Sequence, residues 1–158
     1  PLGRTEQGHE LHFGVNHLAH FLVQDGLMPQ LRATRERTGE RGRLVACSSI
    51  ANTLGDLTLD LTDLDWRRRK YNEWEAYCAS KAANVLLTDE VARREPEIAS
   101  NSFHPGIVTT NLVRYILPEL TAENRDPEAE KETKNGKLLA KMGIRDADEV
   151  RTFLTKIE

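Results

Sequence analysis

Two short predicted strands, separated by one long helical segment, restrict most strongly how this chain can fold. Residues 44–47 (LVAC) form an uninterrupted apolar run after a glycine-containing stretch, which is typical of a strand buried on both faces. Residues 76–95 contain no glycine or proline and end before Pro96, which predicts a helix. Residues 98–103 then form the second strand. Strand, helix and strand in this order predict a βαβ unit with parallel strands and a right-handed crossover.

The segments around this unit are predicted to be helical or exposed. Residues 5–31 carry Leu11, Val15, Leu18 and Leu22 at helical spacing, and interruption by glycines favours a short helix followed by a longer one. Residues 34–43 are charged and glycine-containing, which indicates an exposed loop. Residues 50–74 lack a clear period and are expected to form a structured excursion. Beyond residue 118 the chain becomes mostly charged, so we divide it into residues 1–118 and a charged, helical region of residues 119–158.

Composition excludes several classes of protein. The chain has 158 residues and a formal net charge of −3, which argues against a general nucleic-acid binder. No apolar run approaches the ~20 residues of a membrane helix, and the first residues lack a secretory signal. Two cysteines, Cys47 and Cys78, cannot form a disulfide framework and favour an intracellular, reducing compartment. The chain begins at Pro1 without a methionine, so we expect a fragment of a longer protein, which is cytoplasmic or membrane-associated.

Polar residues with catalytic chemistry cluster on this framework. Tyr77 and Lys81 are four residues apart on the predicted helix, so they stand about 40° apart around its axis and share a face. An ammonium stabilises a neighbouring phenolate, and such a pair suits general acid–base chemistry. By itself this pair is a weak indication, because the same spacing occurs on many helices by chance.

Two further groups lie at the strand ends. Ser48 and Ser49 follow the first strand, and Pro105 and Gly106 follow the second. Each group alone is more typical of a turn or a helix cap. Both nevertheless fall at the carboxyl edge of the predicted sheet, where open α/β sheets bind their ligands.

Four motifs resemble the short-chain dehydrogenase/reductase family, and within it the retinol-dehydrogenase-like branch. GVNHLAHF (14–21) is similar to the helix that carries the catalytic asparagine, and GRLVACSS (42–49) to the strand that ends in the catalytic serine. AYCASKAANVL (76–86) resembles the YxxxK helix, and SNSFHPGIVTTNL (100–112) the strand and loop that contact the nicotinamide. Four motifs in the same order, covering residues 5–114, make a specific match.

The resemblance implies a role for each matching residue. Tyr77 would protonate the carbonyl oxygen in reduction or accept the alcohol proton in oxidation. Lys81 would stabilise the Tyr77 phenolate and hold the nicotinamide ribose. Ser49 would hydrogen-bond the substrate oxygen, and Asn16 would hold a water in the proton relay. The nicotinamide amide would be framed by Pro105, Gly106, Val108 and Thr110.

The implied fold is α/β: part of a Rossmann-like, doubly wound parallel sheet, truncated at the N-terminus. The implied activity is an NAD(P)-dependent oxidoreductase acting on a small lipophilic alcohol or carbonyl, retinoids and steroids among them. The glycine-rich turn that receives the dinucleotide pyrophosphate in this family is absent from the sequence. The residue that selects NAD or NADP is absent with it. The alternative hypothesis is therefore a truncated, non-catalytic family member that acts at most through subunit pairing, and whether the chain is an enzyme stays open.

Other patterns favour structural explanations. Histidines spaced by three can bind a metal, but no cysteine or carboxylate completes a set around His9, His12, His17 and His20, so no metal site is predicted. The basic run at residues 67–70, between aromatic residues, could contact single-stranded nucleic acid, but a solvated face or the rim of a substrate pocket fits a chain of this charge better. Small residues suit close helix packing, inside the domain or across a homo-oligomer interface: Ala79, Ser80, Ala82 and Ala83.

Overall fold

The computed structural model describes residues 1–54 and 60–106 of the chain. Residues 1–105 form one compact unit. The predictions for the charged region 119–158, for the boundary at residue 118, and for Val108 and Thr110 lie outside the described residues.

A parallel pair of strands joined by a helix forms the centre of the compact unit. β1 (Gly42–Cys47) and β2 (Ile98–Phe103) pair in parallel from Gly42↔Ile98 to Cys47↔Phe103. α3 (Glu73–Arg94) lies between them in sequence and packs against both. The predicted βαβ arrangement and the α/β class are therefore confirmed, and the second strand has the predicted bounds.

β1 is buried on one face only, so the prediction of a strand buried on both faces is wrong. Leu44 and Ala46 are buried, whereas Arg43 and Val45 are exposed, with Val45 at 62%. Within the described part of the chain, the helices cover only the face that carries Leu44. An uninterrupted apolar run reports how hydrophobic a strand is, and not which of its faces is covered in a given chain.

The long amino-terminal helical segment supplies the rest of the core. It comprises α1 (Leu11–Phe13), a π-helical turn (Gly14–Leu18) and α2 (Ala19–Thr38) without interruption. Two predictions are corrected: one segment replaces the short and long helices, and residues 34–38 are helical rather than loop. Gly39 ends α2 with φ 75°, a left-handed conformation that glycine adopts without steric cost.

The apolar side predicted from residue spacing is the exposed side of this segment. Leu11, Val15 and Leu22 are exposed by 46%, 52% and 68%. Met28 instead faces the core, where it packs with strand residues Leu44 and Ile98 and with partly buried Leu31 and Val91. The segment is apolar on two sides, and spacing alone does not distinguish the side that faces the sheet.

α3 begins three residues earlier than predicted because a side chain caps it. Asn72 Oδ1 accepts hydrogen bonds from the backbone N–H of Trp74 and Glu75 at 3.1 and 3.3 Å. Two acidic residues, Glu73 and Glu75, stand in the first turn, where they complement the helix dipole. No helix among the described residues is both long and apolar enough to cross a membrane.

Residues 60–72, within the excursion before α3, fold around a buried carboxylate. Asp63 is 5% exposed and accepts backbone hydrogen bonds from Arg67, Arg68 and Arg69 at 2.7–3.2 Å. Desolvation acts to raise the pKa of Asp63, but these N–H groups outweigh it, so the pKa lies below its ordinary value. Trp66 lies within this turn at φ 52°.

Two further carboxylates attach the amino-terminal segment to this excursion. Glu10 is fully buried and accepts hydrogen bonds from the N–H of His12 (3.0 Å), the N–H of Phe13 (2.7 Å) and the hydroxyl of Tyr71 (2.8 Å). Asp65 accepts from the N–H of Glu10 at 3.0 Å. Burial and the Glu10 carboxylate both raise the pKa of Tyr71, which keeps its hydroxyl protonated as the donor.

Candidate active site

Tyr77 and Lys81 lie together on α3, one turn apart. Both are half-buried, and Lys81 Nζ is 5.7 Å from the centre of the Tyr77 ring. The two rings nearest to Tyr77 belong to His12, at 5.7 Å in an edge-on arrangement, and Trp74, at 5.8 Å. The contact with His12 joins residues 65 positions apart, so residue spacing does not predict it.

Lys81 is hydrogen-bonded to the carboxyl end of β1. Lys81 Nζ donates to the carbonyl oxygen of Cys47, the last residue of β1, at 3.4 Å. The Ser48 hydroxyl donates to the backbone carbonyl of Lys81 at 2.8 Å, and the Ser48 N–H donates to Phe103 O of β2 at 2.8 Å. The ammonium is therefore fixed at the carboxyl edge of the sheet, where β1 and β2 both end.

Ser49 follows directly and begins the 3₁₀ turn Ile50–Thr53. Its Oγ accepts a hydrogen bond from Ala51 N at 3.2 Å, and the residue is half-buried. This bond uses an oxygen lone pair and leaves the hydroxyl proton available for a ligand. Ser49 thus serves as a cap and retains the donor that its predicted role requires.

Asn16 lies in the π-helical turn and contacts α3. Its side-chain Nδ2 donates to Ser80 Oγ at 3.0 Å, and its backbone carbonyl accepts from Asn84 Nδ2 at 2.9 Å. None of its hydrogen bonds within the described residues reaches Tyr77 or Lys81. π-Helical turns occur frequently at functional sites, because they expose backbone groups that a regular helix would pair internally.

Pro105 and Gly106 follow β2 and are exposed. Gly106 has φ 82°, a conformation that favours glycine. Val108 and Thr110, the other residues predicted to frame a nicotinamide, lie outside the described part of the chain.

The buried thiol of Cys78 and the arginines of the basic run 67–70 make contacts that stabilise the fold. Cys78 is 2% exposed, and burial raises its pKa to about 11, which disfavours the reactive thiolate. Arg67 donates to Gly8 O at 3.1 Å, and the Arg69 guanidinium stacks over Trp66 at 3.8 Å from the ring centre. Among residues 1–54 and 60–106, no cluster of three or more metal-ligating side chains is found.

Comparison with known proteins identifies the family. The chain is 42% identical to human retinol dehydrogenase 13 over 117 residues, and 42% identical to human retinol dehydrogenase 14 over 118 residues. It is 36% identical over 119 residues to the chloroplastic short-chain dehydrogenase TIC 32 A of Brassica napus. Each match covers 73% of this chain and 33%, 33% and 37% of the respective relative, so the chain spans about a third of the length of the curated relatives it matches. No family model matches.

A solved structure supports the same fold. The crystal structure of an uncharacterised protein from Mycobacterium paratuberculosis superposes with a TM-score of 0.56 at 36% identity, covering 71% of this chain and 39% of that one. These similarities agree with the parallel βαβ unit and with the Tyr77–Lys81 pair at its carboxyl edge. The chain belongs to the short-chain dehydrogenase/reductase family, in its retinol-dehydrogenase-like branch.

Proposed function

We propose that this chain carries the proton-transfer site of an NAD(P)-dependent oxidoreductase that acts on lipophilic alcohols or carbonyl compounds. The observation that carries the proposal is the placement of Lys81 Nζ, 5.7 Å from the Tyr77 ring and anchored on the last carbonyl of β1. The retinol dehydrogenases among the relatives support a retinol-like substrate class. Intracellular location stays a prediction from cysteine usage.

In this proposal Tyr77 moves the proton. For carbonyl reduction its hydroxyl donates a proton to the substrate oxygen, and for alcohol oxidation its phenolate accepts one. Lys81 stabilises that phenolate electrostatically, and Ser49 uses its free hydroxyl proton to orient the substrate oxygen. Asn16 contributes through the π-helical turn, where a water would be held.

The residues present fit a nicotinamide cofactor in part. Lys81 uses one of its three donors on Cys47, so the others remain for ribose hydroxyls, and Pro105 and Gly106 stand exposed where β2 ends. The bound nicotinamide would supply or accept the hydride.

The truncated, non-catalytic member is the second candidate. The exposed face of β1, with Val45 62% accessible, favours it, because no layer within the described residues covers this apolar side chain. The sequence also contains no glycine-rich turn for the pyrophosphate. On this hypothesis the chain acts through pairing with another subunit.

The two candidates are separated by measurements on the purified chain. NADH and NADPH binding is measured by calorimetry, folding by circular dichroism, and retinol oxidation by the absorbance of the reduced cofactor. The oxidoreductase hypothesis expects saturable binding and turnover, and it expects Tyr77→Phe to lower kcat by about 10²-fold or more. Lys81→Met should do likewise, whereas Arg37→Met, at an exposed arginine of α2 outside the site, should retain activity. A folded chain that binds neither cofactor refutes catalysis by this chain and supports the second candidate.

A further inference from the structure

Asn84 is a fully buried amide in the interior of α3, at 0% exposure. Burying an amide is unfavourable unless its donors and acceptor are paired. All of its polar contacts leave its own helix. Nδ2 donates to Asn16 O at 2.9 Å and to Cys47 O at 3.4 Å, and Oδ1 contacts His17 Nδ1 at 3.0 Å.

These partners fix the orientation of the amide. The two backbone carbonyls accept only, so the nitrogen of Asn84 must face them and its oxygen must face His17. His17 Nδ1 is therefore the donor in that contact. An amide supplies both donors and the acceptor at once, which neither a hydroxyl nor a carboxylate of similar size does.

The contacts connect two parts of the candidate site. Asn16 O belongs to the π-helical turn, and Cys47 O is the same carbonyl that anchors Lys81 Nζ, at 3.4 Å. Because both nitrogens bond this one oxygen, Lys81 Nζ and Asn84 Nδ2 lie no more than about 7 Å apart. A continuous set of hydrogen bonds thus runs from the Asn16 turn through Asn84 and Cys47 to Lys81.

We propose that Asn84 is a positioning residue that holds the Asn16 turn and the Lys81 ammonium in one arrangement. This inference rests on the proposed function for its catalytic meaning. Thr88, one turn further along α3, provides the contrast, because it is equally buried but its hydroxyl bonds only the carbonyls of Asn84 and Val85 in its own helix. Asn84→Ala removes hydrogen bonds between different elements. Thr88→Ala removes an equally buried polar group that forms hydrogen bonds only within its own helix.

The test compares Asn84→Ala with Thr88→Ala in the full chain. The first measurement is the rate at which Lys81 is acetylated, determined by mass spectrometry relative to exposed Lys70. Once the network is broken, the Lys81 amine samples solvent, so Asn84→Ala should label about tenfold faster and Thr88→Ala within twofold of the original chain. Equal Lys81 labelling in the two variants overturns the inference.

The second measurement is turnover. In Asn84→Ala kcat should fall about tenfold, while the KM for the alcohol stays within twofold, because the substrate pocket is untouched. Absence of turnover in the original chain would refute the proposed function, and the labelling result would still decide the positioning role.

A measurement on the original chain keeps the inference testable should Asn84→Ala fail to fold. The side-chain amide protons of Asn84 are followed by NMR during exchange into heavy water, with exposed Asn101 as the reference. We expect Asn84 to exchange at least tenfold more slowly, since its donors are buried and bonded. Exchange as fast as that of Asn101 overturns the inference.

Discussion

Replacing Glu10 with alanine should destabilise the fold by about 3 kcal/mol, although the residue lies outside the candidate site. Its carboxylate caps the helix through the N–H groups of His12 and Phe13, and losing such a cap costs about 1–2 kcal/mol. It also accepts the Tyr71 hydroxyl at 2.8 Å, and a buried hydroxyl left without a partner costs about 1–3 kcal/mol more. Glu10 is fully buried, so water cannot replace these bonds without opening the structure.

Urea unfolding followed by tryptophan fluorescence measures this effect, because Trp66 stacks edge-on against Tyr71 at 5.3 Å. Glu6→Ala, at an exposed glutamate nearby, should stay within about 0.5 kcal/mol of the original chain. Tyr71→Phe should cost about 1 kcal/mol in the original chain, whereas in the Glu10→Ala background it removes the unpartnered hydroxyl and should recover about 1–3 kcal/mol. Equal costs in both backgrounds, or a Glu10→Ala variant as stable as Glu6→Ala, would refute the reasoning.

Four further perturbations have defined outcomes. Gly42→Ala should destabilise the chain by about 1–3 kcal/mol, because its Cβ would lie 2.7 Å from a backbone carbonyl oxygen of α2. Gly26→Ala meets nothing within 4 Å and should stabilise it by about 0.5–1 kcal/mol; urea unfolding ranks both, and the reverse order would contradict the packing. The pKa of Asp63 is lower in the folded chain than in the unfolded chain, so its contribution to stability is complete above about pH 4 and is lost as the pH falls through the folded pKa. Asp63→Asn should therefore flatten the acid-induced loss of structure seen by circular dichroism. An unchanged slope would argue against this role of the Asp63 carboxylate. Burial raises the pKa of Cys78 to about 11, so this thiol should resist iodoacetamide at pH 8 while the chain is folded and should react in urea. Mass spectrometry measures the alkylation, and labelling of Cys78 as fast as that of half-buried Cys47 would contradict the burial of Cys78.

The sequence predicted the elements of the fold more successfully than their surroundings. The bounds of β2 follow from the proline stop before it and the Pro-Gly turn after it, and the parallel pairing follows from the apolar run of β1 and the connection length, all of which are local properties. The choice of buried face on β1 and α2 depends on what packs against each face. Val45 and Leu22 are apolar and exposed, and nothing in their own sequence neighbourhood distinguishes them from the buried Leu44 and Met28.

The candidate site was likewise predictable where it depends on local spacing and not where it depends on distant contacts. The spacing of Tyr77 and Lys81 on one helix was sufficient to predict that they share a face, and the structure brings them together. The position of Asn16 could not be predicted from spacing, because it depends on a π-helical turn and on side chains 64 and 68 residues away. His12 reaches the Tyr77 ring for the same reason. The roles assigned to these residues stay predictions until the variants above are measured.

Buried polar groups fix how the elements of this unit pack against one another. Hydrophobic periodicity did not identify them, because it marks only apolar residues as buried. The apolar core is modest, centred on Met28, Leu44 and Ile98. A hydrophobic contact tolerates small shifts of one element past another, whereas a buried amide or carboxylate loses its bonds when the geometry changes. Buried polar side chains therefore help to specify how the elements pack against one another. The buried polar set comprises Glu10, Ser48, Asp63, Ser80, Asn84 and Thr88. Five of the six bond across elements or fix a turn, and only Thr88 bonds solely within its own helix. A polar residue between apolar neighbours in a helix interior, as in AANVLL (82–87), is thus the sequence feature that points to Asn84.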